Sequence, residues 1–111
     1  MLPITEPMTA PLLFDLRGKR VYVAGHLGLA GSAIVRRLAS EPCEVLTACR
    51  RELDLTQQEA TETWIKQVRP DVIFLAAARV GGIHANEAFP ADFLGDNLAI
   101  GLNVLRAAVA T

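Results

Sequence analysis

Apolar positions along this chain follow two periods, and the two alternate. Arg20 to Ala24 (RVYVA) is a short run of β-branched and aromatic residues, the composition of a strand. From 31 to about 40 the period lengthens. Ala30, Ile34 and Leu38 stand four apart with Arg36 and Arg37 turned outward, which predicts a helix that Pro42 closes. Glu44 to Cys49 (EVLTAC) reads as a second strand. Thr56-Gln57-Gln58-Glu59 carries the hydroxyl and carboxylate of a capping box. Behind it Ala60, Trp64 and Val68 share one helix face with Ile65 beside them, and Pro70 ends the pattern. Asp71 to Ala78 (DVIFLAAA) is almost wholly apolar, which suits a strand covered on both faces. Pro90 then opens a long helix over 91 to 110, at a position where its missing N–H costs little. Phe93, Asn97, Ile100 and Val104 form one stripe of that helix, and Leu94, Leu98, Leu102 and Leu105 form another. A helix apolar on two sides needs two partners.

The order is β-α-β-α-β-α. Such alternation predicts an α/β fold, a Rossmann-like doubly wound parallel sheet of about three strands and three helices, with right-handed crossovers placing helices on both faces. Residues 1–18, with three prolines in the first sixteen, read as an irregular lead-in, and 19–111 as the folded part.

The seam between the first strand and the first helix, VYVAGHLGLAGSAI at 21–34, holds Gly25, Gly28 and Gly31. Glycine at such a seam lets the backbone turn tightly, approach a ligand and pack helix against strand. The helix N-terminus beyond it suits a pyrophosphate. The spacing is G-x-x-G-x-x-G rather than the commoner G-x-G-x-x-G. The strand before, the helix after and a second strand some twenty residues on make it a dinucleotide cradle instead of an ordinary glycine-rich turn. The second strand exits into Cys49-Arg50-Arg51. An acidic residue at that point accepts from a ribose 2′-OH, whereas arginine suits a 2′-phosphate, so the arginine pair points to NADP(H). The competing account is a solvated surface pair. Glu52 follows the arginines. Asp54 either accepts from the adenine amino group, with Leu55 lining the adenine pocket, or caps a turn.

Composition narrows the alternatives. The chain has 111 residues, a formal net charge of −1, 51% hydrophobic and 21% charged residues. That is one small domain with enough apolar content for a core. A balance near neutrality gives no nucleic-acid footprint. No uninterrupted apolar run reaches the roughly 18 residues of a membrane span, and the start lacks the pattern of a signal peptide. Cys43 and Cys49 have no metal-ligand or redox spacing, so no metal is expected and a reducing, cytoplasmic compartment is the default.

Together, Gly25 to Gly31, Arg50, Asp54-Leu55 and LAAA at 75–78 resemble the extended short-chain dehydrogenase/reductase family. VAGHLGLAGSAIVRRL at 23–38 and LAAARVGGIHANEAFPADFLGDNLAIGLNVLRAA at 75–108 are similar to its GDP-L-fucose synthase branch, over about residues 19–110. The resemblance implies an NADPH-dependent 3,5-epimerase and 4-reductase acting on GDP-4-keto-6-deoxy-D-mannose. It implies a cofactor loop at Gly25, His26, Leu27, Gly28, Leu29, Ala30 and Gly31, and a 2′-phosphate contact at Arg50. It implies adenine contacts at Asp54 and Leu55, and a wall facing the nicotinamide ribose at Ala76, Ala77 and Ala78. It also implies a GDP-sugar substrate near His84 and a homodimer through helix 91–110, while composition leads to the expectation of no membrane or nucleic-acid partner. His26 is expected to hydrogen-bond rather than transfer protons.

There are departures. The branch usually carries arginine where this chain has Leu27. Its serine, its Y-x-x-x-K pair and its catalytic cysteine and histidine have no counterparts here. Tyr22, the only tyrosine, has no lysine four residues on. The resemblance therefore implies the N-terminal, cofactor-binding portion, with the catalytic and substrate parts beyond Thr111 and no activity of the chain alone. The rival reading is a non-catalytic NADP-binding module, since a Rossmann fold alone does not imply chemistry.

Overall fold

The computed structural model describes residues 13–78 and 90–111. Its elements are β1 (Arg20–Ala24), α1 (Leu29–Leu38), β2 (Glu44–Leu46), α2 (Gln58–Val68), β3 (Val72–Leu75) and α3 (Pro90–Ala110). The sheet order is β2-β1-β3 and both pairings are parallel. Tyr22 stands opposite Leu46 on one side and Ile73 on the other. The chain runs outward from β1 to β2 and then crosses back to β3, so the direction of winding reverses at β1. In open α/β sheets the crevice outside the carboxyl ends of the strands at such a reversal is where ligands bind.

Alternation along β1 divides the core. Val21 and Val23, fully buried, point to one face, where Leu38, Ile34 and Val35 of α1 pack against them. Tyr22 and Ala24 point to the other face and meet Leu53, Leu55, Trp64 of α2, and Ile100 and Val104 of α3. Helices thus cover both faces, as the alternating pattern predicts.

The boundaries differ from the sequence expectations, each for a local reason. β2 stops at Leu46, so Thr47 to Cys49 leave the sheet. β3 stops at Leu75, although Ala76 N–H still donates to the Ala24 carbonyl at 2.9 Å. α1 starts at Leu29, two residues early, because Gly28 already serves as its N-cap. The capping box at Thr56 does not form. Gln57 is the N-cap of α2 and makes no side-chain cap bond, while the Thr56 hydroxyl donates to Asp54 Oδ1 at 2.7 Å. The buried face of α2 centres on Thr61 and Ile65, both fully buried, whereas Ala60 is exposed. Thr61 fits because its hydroxyl donates to the Gln57 carbonyl at 2.8 Å. The helix closes at Arg69 with φ of 50°, out of the right-handed region that the following Pro70 disfavours.

α3 buries Ile100, Asn103, Val104 and Ala107. The apolar stripe predicted from the sequence includes Ile100 and Val104 but not Asn103, whose side-chain amide donates to the Leu55 carbonyl at 2.9 Å. Leu94, Leu98, Leu102 and Leu105 stay exposed. By length and composition α3 is apolar enough to cross a membrane, with 21 residues and mean hydropathy 1.2. No uninterrupted apolar run marks it in the sequence, because Asp92, Asp96 and Arg106 break the helix into shorter pieces. Cys43 and Cys49 are free thiols, both half-buried.

Candidate cofactor cleft

The glycine loop is built by backbone contacts that side chains would prevent. Gly25 has φ of +83°, and a Cβ there would sit 2.6 Å from both the Cα and the N of Ala77. A Cβ on Gly31 would run into the Gly25 carbonyl oxygen, with the Gly25 carbonyl carbon at 2.6 Å. The exit of β1 is therefore clamped between α1 and the segment leaving β3. Gly28 is different. A Cβ there would make only ordinary contact, 3.5 Å from the Gly25 oxygen. Its N–H donates to Gly25 at 3.1 Å and its carbonyl accepts from Ser32 at 2.9 Å, which starts the helix. No acidic side chain sits in the first turn of α1, so its positive end is uncompensated from within the helix.

The exit of β2 forms the second wall. Glu52 N–H and Leu53 N–H both donate to the Cys49 carbonyl, at 3.0 and 2.9 Å. Glu52 Oε1 accepts from Cys49 N–H at 3.3 Å. Arg50 and Arg51 lie exposed on this turn. Asp54 Oδ1 accepts from both the N–H and the hydroxyl of Thr56, at 3.0 and 2.7 Å. The hydroxyl bond, then the amide bond, then the nearby Arg50 charge hold its carboxyl below the usual aspartate range. The turn-capping account of Asp54 thus has its geometry.

Between these walls lies a cleft of about 240 Å³ at the carboxyl edge of the sheet. Gly25, His26, Leu27, Gly28, Arg50, Asp54, Leu55, Ala76, Ala77 and Ala78, separated by up to half the chain, all line it. Leu29 and Ala30 sit outside it on the exposed first turn of α1, and Gly31 is buried behind the loop. Tyr22, Ala48, Cys49, Leu53, Thr56 and Ile100 also line the cleft, although the sequence does not point to them as site residues. Tyr22 and Ile100 carried a legible signal, since each belongs to an apolar pattern aimed at this face. Cys49 and Ala48 carried none, because the early end of β2 puts them there. Arg79, Gly81, Gly82 and His84 lie outside the described residues. Among the described residues, no three His, Cys, Asp or Glu side chains are grouped to hold a metal ion.

The parts of the cleft match an adenosine-containing dinucleotide. A glycine loop that leaves no room for a Cβ at two positions brings backbone and a helix N-terminus to the surface. Leu53, Leu55 and Ile100 give an apolar lining, and Arg50 lines the same cleft. The sequence profile of the NAD dependent epimerase/dehydratase family matches residues 21–111. The chain belongs to that family. Within it, the chain is 51% identical over 94 residues to a GDP-L-fucose synthase from Sinorhizobium fredii, covering 85% of this chain and 30% of that protein. The solved structure of DdhaC superimposes with a TM-score of 0.83 at 38% identity, over 87% of this chain and 28% of that one. MlghC, a GDP-mannoheptose C4 reductase from Campylobacter jejuni with NADP bound, does so with a TM-score of 0.78 at 36% identity, over 84% of this chain and 30% of that one. The chain spans about three tenths of the length of these family members. Its described part has the Rossmann-like NAD(P)-binding fold of the family.

Proposed function

We propose that this chain is the NADP(H)-binding portion of a GDP-sugar epimerase/reductase, of the kind that converts GDP-4-keto-6-deoxy-D-mannose to GDP-L-fucose. The observation that carries this reading is the convergence of Gly25, Arg50, Asp54, Leu55 and Ala76 to Ala78 on one cleft at the winding reversal. Similarity to a GDP-L-fucose synthase and to a GDP-mannoheptose reductase supports the choice of nucleotide sugar. When bound, NADPH supplies the hydride for the sugar carbonyl. The chain's own residues bind and orient it. The first turn of α1 offers N–H groups to the pyrophosphate, and Arg50 offers a guanidinium to the 2′-phosphate.

The test compares NADPH with NADH. The unaltered chain is expected to bind NADPH more tightly. Arg50→Ala is expected to weaken NADPH by about tenfold to a hundredfold and to leave NADH nearly unchanged, as befits one charge-assisted phosphate contact. Titration calorimetry reads both constants. Equal binding of the two nucleotides by the unaltered chain would remove the 2′-phosphate assignment.

The homodimer belongs to this proposal as well. Leu94, Leu98 and Leu105 are more than 60% exposed along one side of α3, the side away from the core. Their shared stripe is supported by the pairing of such helices that the resemblance implies. Leu98→Glu is expected to convert a concentration-dependent dimer to monomer in analytical ultracentrifugation, since a carboxylate cannot be buried there without a partner. A dimer that survives it would move the interface elsewhere.

A further inference from the structure

We propose that Glu52 is a positioning residue that fixes Arg50 for the 2′-phosphate by closing the turn on which Arg50 sits. The inference rests on the cofactor reading above and deepens it. In sequence, Glu52 is a puzzle. An acidic side chain at the end of the second strand is the feature that selects NAD, yet it follows two arginines that select NADP. The geometry removes the conflict. The Glu52 carboxylate is turned back onto its own turn, where Oε1 accepts the Cys49 N–H at 3.3 Å. The backbone closes the same segment through Glu52 N–H and Leu53 N–H on the Cys49 carbonyl. Cys49 is thus held at both its donor and its acceptor, and Arg50 is the next residue.

The segment needs this help. β2 has ended at Leu46, so no ladder bonds reach Cys49, and Arg50 itself is exposed. A long side chain on a loose turn must be ordered when the phosphate arrives, and that ordering weakens binding. A turn closed beforehand leaves less to order. The bonds from Cys49, side chain first and amide second, together with the charge of His26 on the glycine loop, hold the Glu52 carboxyl below its usual range.

The experiment measures NADPH and NADH affinities by calorimetry for the 111-residue chain and for Glu52→Ala and Glu52→Gln, each checked by circular dichroism melting. Glutamine keeps an oxygen acceptor for the Cys49 amide, whereas alanine does not. Glu52→Ala is expected to weaken NADPH about tenfold, with NADH changed less than about twofold, and Glu52→Gln to keep NADPH within about threefold. A loss confined to the nucleotide with the extra phosphate does not come from a general loss of fold. Equal loss for both nucleotides, or no loss for either, overturns the positioning role. Glu52→Gln as weak as Glu52→Ala overturns the hydrogen bond as its cause. If the unaltered chain binds neither nucleotide, the cofactor reading itself falls and this inference with it. An unaltered chain that prefers NADPH beside an indifferent Glu52→Ala removes the inference alone.

Discussion

Gly31→Ala is expected to destabilise the chain by about 3 kcal/mol and to abolish nucleotide binding, although it adds a single methyl group to a helix. On propensity alone the change should stabilise, since alanine is the better helix former by about 1 kcal/mol. Packing overrides that gain. The new Cβ would run into the carbonyl oxygen of Gly25, a backbone atom, and Gly25 cannot retreat. Behind it, the Gly25 Cα already faces Ala77, with room for no Cβ of its own. The strain must therefore move α1 away from the exit of β1, and the helix N-terminus moves with it. Urea denaturation at constant m-value reads the loss of stability, and NADPH titration reads the loss of the site. Gly28→Ala is the control. Its Cβ would meet the Gly25 oxygen at an ordinary 3.5 Å, so its stability should change by less than about 1 kcal/mol. A Gly31→Ala chain as stable as Gly28→Ala would mean that α1 is not clamped on the loop.

This contrast also shows what was legible in the sequence. Three glycines at equal spacing look equivalent on the page. In the structure Gly25 turns the chain, Gly31 admits the strand exit, and Gly28 caps the helix without steric need. Spacing locates such a loop but cannot rank its members, because the ranking depends on how the loop folds back, Gly25 against the distant Ala76 and Ala77 and Gly31 against the Gly25 carbonyl. The strands and helices themselves are readable from their periods, although β3, expected to be covered on both faces, is only half-buried and ends at the exposed Leu75. β1 is found at its full length, and α3 begins one residue before its expected start. Readings that relied on local hydrogen bonding fared worse. Thr56 carries the composition of a cap, yet the Asp54 carboxylate two residues earlier competes for its hydroxyl and wins. The apolar period puts Ala60 rather than Thr61 on the buried face of α2, because a threonine hydroxyl reads as polar until it bonds within its own helix. Asn103 reads as polar for the same reason. A buried amide is only acceptable with a partner, and that partner, the Leu55 carbonyl, is 48 residues distant.

Tyr22→Ala is expected to cost about 3–5 kcal/mol, while Tyr22→Phe costs little at neutral pH. Tyr22 is 1% exposed at the centre of β1, with its ring centroid 4.5 Å from that of Trp64 at a tilt of 51°. Ile73, Leu53, Leu55, Ile100 and Val104 belong to the same cluster, so alanine would open a cavity where α2, α3 and the sheet meet. Tyr22 also lines the cleft, so the cavity would open into it, and NADPH binding is expected to weaken as well. Phenylalanine keeps the ring and its neighbours. What it removes is a titration. Burial pushes the Tyr22 hydroxyl up to about 12. The unfolded chain releases that proton near 10. Between those values the folded chain holds a proton that the unfolded chain has lost, so stability falls as pH rises. Denaturation midpoints at about pH 9 and about pH 11 should therefore drop for the unaltered chain by more than for Tyr22→Phe. An equal drop in both would mean that Tyr22 ionises as readily folded as unfolded. The same burial keeps this tyrosine protonated at neutral pH and makes it a poor source of the proton that reduction of a carbonyl requires. Its contribution to the cleft is a wall rather than an acid.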